Sequence, residues 1–193
     1  LRCTRSPILL ARCEYNQLYR AATSDTLHVR CNLIAKTYNE STMKNSANHT
    51  IADDEKYMRL AIEAAKSAPF PFGYVLVKDG QVIGAGKSGE TNSFDPTAHS
   101  EVNLIRSACF SLHSKDLSGC TLYSTCEPCP MCFSAAWWAN VDRVVFGVTL
   151  QESSKLYGNV EILVNADYLN GKGANRIEIV DGVLKEEVLS LYK

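Results

Sequence analysis

The stretch Cys126-Glu127-Pro128-Cys129-Pro130-Met131-Cys132, taken with the shorter Thr97-Ala98-His99-Ser100-Glu101 upstream, decides how this chain is read. One imidazole, two thiols and one spare carboxylate are the parts of a hydrolytic zinc site that keeps a coordination position open. Cys129 and Cys132 stand three apart, so on a helix both thiols face the same way. Pro128 suits a first helical position, where its missing N–H costs nothing, and this predicts both cysteines in the first turn. There the positive end of the helix dipole favours the thiolate that a metal requires. Asp95 as an N-cap and Pro96 just inside the helix repeat the plan for His99. His99 and Glu101 are two residues apart and diverge around a helix axis, so Glu101 is read as a proton carrier beside the metal and not as a ligand.

The order H-x-E followed by P-C-x-x-C is the pattern of zinc deaminases that act on nucleobases. The chemistry explains the parts. A ring carbon bearing an amino group is a poor electrophile and neutral water a poor nucleophile, while zinc with three protein ligands brings the pKa of water to about 7. Glu101 would take a proton from that water, pass it to a ring nitrogen and then protonate the departing ammonia. Alone, His99 reads as an ordinary histidine, and Cys129-x-x-Cys132 as a structural zinc knuckle or a redox pair. A structural site closes with four ligands and has no use for Glu101, so an inactive zinc-binding module is the non-enzymatic alternative. Cys126-x-x-Cys129-x-x-Cys132 also permits part of an iron–sulfur site, but no cysteine follows downstream. Cys126 is read as a buried strand-end thiol.

Organisation changes near residue 52. Residues 1–51 form a basic extension with no sustained periodicity: residues 1–50 hold seven Lys/Arg and three Asp/Glu, a net of +4. Five arginines in the first thirty residues suit organelle targeting by residues 1–42, with an upstream extension ahead of Met43 as the equal alternative. Residues 52–193 read as one domain. Three of the eight cysteines lie in the extension and two belong to the metal motif, which argues against a disulfide framework and for a reducing, cytoplasmic setting. No apolar run approaches a membrane span.

Within the domain, a helix is expected over Asp54 to Ser67, then strands Gly73 to Lys78 and Gln81 to Ala85 joined by the hairpin turn Asp79-Gly80. A helix after Pro96 carries Ala98, Val102, Ile105, Cys109 and Leu112 on one side. A strand at Cys120 to Thr125, a helix after Pro128, strands at Arg143 to Val148 and Arg176 to Val180, and a helix from Val183 to Tyr192 complete the series. This alternation predicts an α/β fold, a three-layer αβα sandwich around a mixed sheet of about five strands.

Pro71-Phe72-Gly73, Asp95-Pro96-Thr97-Ala98-His99 and Ser124 to Cys132 resemble the cytidine deaminase superfamily over residues of roughly 54 to 193, in the branch of guanine deaminases and tRNA adenosine deaminases. The resemblance implies ligands His99, Cys129 and Cys132, a proton shuttle at Glu101, Phe72 and Ala98 beside the pocket, and a homodimer. Phe72 and the Cys126 to Cys132 wording are nearer to guanine deaminase, whereas Arg176-Ile177-Glu178-Ile179 is more like the tRNA branch. One departure bears on substrate. The family usually has an asparagine eleven residues before the zinc histidine; Ser88 stands here, with a shorter reach and one donor, and Asn92 lies at the wrong offset. From Gln151 to Lys193 there are five basic and seven acidic residues, where a tRNA-binding face calls for a cationic stripe. The expected activity is zinc-dependent deamination of a free nucleobase or related aminated heterocycle, guanine favoured. The alternatives are a tRNA adenosine deaminase and a cytosine or nucleoside deaminase. Trp137-Trp138 read as core or dimer contacts, and Phe146 as core.

Overall fold

The computed structural model describes residues 50–89, 94–158, 161–174 and 176–192. The basic extension, with its targeting expectation and Met43, and Asn92 lie outside the described residues. The first helix, α1 (Ile51–Lys66), starts three residues ahead of the expected Asp54 because Thr50 closes a capping box: its hydroxyl accepts from the Asp53 N–H, and the Asp53 carboxylate accepts from the Thr50 N–H. Strands β1 (Gly73–Lys78) and β2 (Gln81–Lys87) follow as the predicted hairpin. Asp79 (φ 49°) and Gly80 (φ 73°) both take positive φ, the requirement of the tight turn whose twist matches the strands it joins.

The remaining elements are α2 (Ser100–Ser111), β3 (Cys120–Cys126), α3 (Pro130–Trp138), β4 (Arg143–Val148), α4 (Leu150–Tyr157), α5 (Ala166–Lys172), β5 (Glu178–Val180) and α6 (Lys185–Leu189). The sheet runs β2-β1-β3-β4-β5, antiparallel from β2 to β3 and parallel from β3 to β5. Side chains alternate across it. Tyr74, Leu76, Leu122, Val144 and Phe146 meet α2 and α3 on one face. Val75, Val77, Tyr123 and Val145 meet α1 and Val188 of α6 on the other. The result is the αβα sandwich, with β3 and β4 buried at every position because helices cover both sides.

A buried ion pair fixes α1 over the sheet. Arg143 reaches both Asp54 oxygens at 2.6 and 2.8 Å, and the Tyr123 hydroxyl donates to Asp54 Oδ1 at 2.9 Å. Such a pair sets geometry more than it adds stability, since desolvation offsets much of the attraction.

The structure departs from expectation near its C-terminal end. The helices α4 and α5 lie where none was anticipated. Both carry a start signal, the Thr149-x-x-Glu152 capping box and the Asn165 N-cap, but each is too short to show an apolar period. Strand β5 begins two residues later than expected, and α6 is shorter than the expected Val183 to Tyr192 because Gly182 (φ 74°) and Leu184 (φ 50°) hold positive φ. Phe146 is core, Trp137 packs against the core beneath the Arg176 guanidinium, and Trp138 is exposed. Among the described residues no helix is long and apolar enough to cross a membrane.

Candidate active site

The site forms where β3 ends and two helices begin. Helix α3 starts later than Pro128 suggests: Cys129 is its N-cap, Pro130 its first residue, and Cys132 lies one turn in. The same shift affects α2. Asp95, Pro96 and Thr97 form a turn in which Asp95 Oδ1 accepts from the Thr97 N–H (2.8 Å) and hydroxyl (2.6 Å), and His99 itself is the N-cap. Two helix mouths therefore present the ligands, His99 and Cys129 from cap positions and Cys132 from the first turn, where the N-terminal dipole favours thiolate.

His99 Nδ1 lies 3.6 Å from Cys129 Sγ and 3.5 Å from Cys132 Sγ, and the sulfurs are 3.5 Å apart. Ligands held tetrahedrally by zinc, at about 2.3 Å for sulfur and about 2.0–2.1 Å for nitrogen, stand roughly 3.6–3.8 Å from one another. The triangle fits zinc, and its chemistry fits as well. The side chains polarise one another: the contact with Cys132 draws the Cys129 thiol down to about 4 against its burial, and the contact with Cys129 lifts His99 to about 9. Cys132 is raised well above the ordinary thiol range, chiefly by Cys129. Cys126 belongs elsewhere. It ends β3, and burial pushes its thiol up to about 12, which leaves it a neutral strand-end group and not a ligand.

Glu101, the second residue of α2, is 5% exposed, and burial pushes its carboxyl up to about 7. A group near neutrality both accepts and donates at working pH. Glu101, His99 and Cys129 line one end of a cavity of ≈ 350 Å³, and Phe72, Ser88 and Ala98 line it as well. Every site residue singled out from sequence thus meets at one place. Phe72 sits among Phe70, Tyr157 and Tyr192 at ring separations of 6.3–6.4 Å, an aromatic wall along the cavity. The Ser88 hydroxyl donates to the Phe70 carbonyl at 3.0 Å. It therefore turns only an acceptor to the pocket. The N–H of Ala98 donates to the Asp95 carbonyl at 3.1 Å.

Three further positions at the cavity were not anticipated from the sequence. Glu127 is buried, and its two oxygens accept from the Leu150 N–H (2.8 Å) and the Ala166 N–H (2.6 Å), the first residues of α4 and α5. It thereby holds in place α4, which supplies Ser153, Ser154 and Tyr157 to the cavity. Glu161, half-buried, lines the cavity beside Cys129 and His99. Tyr74 is buried and lines the cavity beside Glu101. The position of Glu127 within the cysteine motif was a signal; Glu161 and Tyr74 had none.

The zinc-binding region of the cytidine and deoxycytidylate deaminase family matches residues 51–148, half of the chain and all of the ligand triangle. The chain belongs to the cytidine and deoxycytidylate deaminase family. Zinc binding and hydrolysis at C–N bonds go with that membership. Guanine deaminase of Bacillus subtilis (strain 168) is 51% identical over 76 residues, 39% of this chain and 49% of that protein. The matched stretch thus spans about half of that relative's length. The tRNA-specific adenosine deaminase of the same strain is 36% identical over 141 residues, 71% of this chain and 84% of the relative. A solved structure from work on A-to-I editing by tRNA:A34 deaminases superposes with a TM-score of 0.59 at 30% identity, over 70% of this chain and 98% of that one.

Proposed function

We propose that this family member releases ammonia from a free nucleobase or related aminated heterocycle, with guanine the favoured substrate. The observation that carries the reading is the His99–Cys129–Cys132 triangle opening into a cavity that also holds a buried, near-neutral Glu101. His99, Cys129 and Cys132 would hold the zinc, which when bound would supply a Lewis acid that makes water a nucleophile at neutral pH. Glu101 would take one proton of that water on a carboxylate oxygen and pass it to a ring nitrogen, then take the second from the hydroxyl added to the ring carbon and deliver it to the amine, which leaves as ammonia while the carbonyl forms. Phe72 and its aromatic neighbours stack on the flat ring.

The polar wall argues for a base rich in N–H donors. Glu161 offers carboxylate oxygens beside the ligands, and Ser88 offers an acceptor because its proton is committed to Phe70. Adjacent ring N–H and amino groups, as in guanine, complement such acceptors. A homodimer goes with this reading, and Trp138, 78% exposed on α3, is a candidate contact.

A second reading, deamination of adenosine in tRNA, is favoured by the greater length over which the tRNA-specific relative matches. Ammonia release measured across guanine, adenine, cytosine, their nucleosides and tRNA decides between the two. Turnover of free guanine with weak tRNA binding is expected. Inosine formed in tRNA, with no ammonia from free bases, would replace the first reading by the second.

A further inference from the structure

We propose that Tyr74 is a positioning residue that aims the Glu101 carboxylate; the assignment rests on the reading of Glu101 as the proton carrier. Glu101 projects from a helix and can swing about several side-chain bonds, whereas an acid–base group works only when held close to its productive geometry. Tyr74 is the side chain placed to hold it. The residue is 5% exposed, as is Glu101; both line the same cavity, and the Tyr74 phenol lies beside the Glu101 carboxyl within reach of donating to it.

The origin of the Tyr74 side chain is fixed from three sides. Its backbone pairs with Gly86 of β2 and with Ser124 of β3. The preceding Gly73 lies so tightly against α1 that a Cβ there would stand 2.0 Å from the Ala61 carbonyl oxygen. The Gly73 N–H donates to Thr125 Oγ1 at 3.0 Å, and the Thr125 hydroxyl donates to the Pro71 carbonyl at 2.8 Å. Thr125 is the next-to-last residue of β3, so the start of β1 is tied to the strand that delivers the two cysteines. A phenol on this frame links the sheet to the helix-borne carboxylate. Holding one carboxylate oxygen, it directs the other at the reacting water. Burial raises the phenol well above its ordinary pKa, so it stays a donor through the cycle.

The test uses the full chain, the amine that wild type turns over fastest, and Tyr74→Phe, which keeps the ring and removes the hydroxyl. A fall in kcat of roughly tenfold or more is expected, the worth of one hydrogen bond to a charged group. KM within about twofold, with zinc content and Tm unchanged, marks the loss as one of positioning. Glu101→Asp draws the carboxyl back by one methylene, and in that background Tyr74→Phe should cost less than about twofold more. An unchanged kcat, a raised KM at constant kcat, an equal loss in both backgrounds, or lost zinc would each overturn the assignment. Wild-type turnover in the same run separates this inference from the deaminase reading. No turnover of any amine overturns both, whereas wild-type turnover with an unaltered Tyr74→Phe overturns only the role of Tyr74.

Discussion

Replacing Glu127 by glutamine isolates one atom's worth of chemistry in a buried place. Both carboxylate oxygens accept backbone N–H groups, from Leu150 at 2.8 Å and Ala166 at 2.6 Å, and each N–H opens a helix. The amide keeps one acceptor and turns an NH2 toward the other N–H, so one buried donor loses its partner at about 1–3 kcal/mol. Removing the negative charge from two helix N-termini costs about 0.3–1 kcal/mol at each. Together these come to roughly 2–5 kcal/mol. At roughly 2–4 °C per kcal/mol for a domain of this size, Tm should fall by about 4–20 °C. Because α4 carries Ser153, Ser154 and Tyr157 to the cavity, substrate binding should weaken as well. We expect KM to rise by more than kcat falls, since the ligand triangle stands on other helices. Calorimetry, zinc analysis and steady-state kinetics on wild type and Glu127→Gln give all three quantities. A Tm within about 2 °C of wild type would refute the reasoning, because it would mean that neither helix start depends on the carboxylate.

The other tests are shorter. Protein purified without added metal should carry one zinc per chain, and Cys129→Ala or Cys132→Ala should lose it and melt earlier, since metal binding contributes to folding; iron with sulfide on analysis would contradict the triangle. Glu101→Gln should keep zinc and lose at least about a hundredfold in kcat, because the amide has the shape of the carboxylate without its proton transfer. Near-normal turnover would remove Glu101 from that role. Ser88→Asn should raise activity on guanine relative to other bases by roughly fivefold, about 1 kcal/mol of amide pairing, and an unchanged preference would show that residue 88 does not read the base.

What the sequence disclosed, and what it withheld, follows from where each residue's partner lies. His99, Cys129 and Cys132 were legible because each ligand comes with its own helix start, and start signals are local. The two mouths were nevertheless placed a few residues early. In both segments the proline marks the approach and not the opening of the helix: Asp95 closes a separate turn with Thr97, and Cys129 takes the cap. The shift has a consequence for the chemistry. With His99 and Cys129 at cap positions and Cys132 in the first turn, Glu101 comes to the second helical position, where burial brings its carboxyl to about 7. Glu127 was visible as a letter in the motif but silent about its role, since its partners lie 23 and 39 residues away. Tyr74 and Glu161 reach the site only through the sheet and the chain beyond β4, so no periodicity or cap could announce them. β1 runs antiparallel to β3, so that its first residues meet the carboxyl end of β3, the end of the strands at which α/β proteins place their ligands. Tyr74 thus arrives at the same end of the strands as Cys129 from the opposite chain direction. Antiparallel pairing at one strand and parallel crossover at the next are both needed to bring phenol, carboxylate and thiols together.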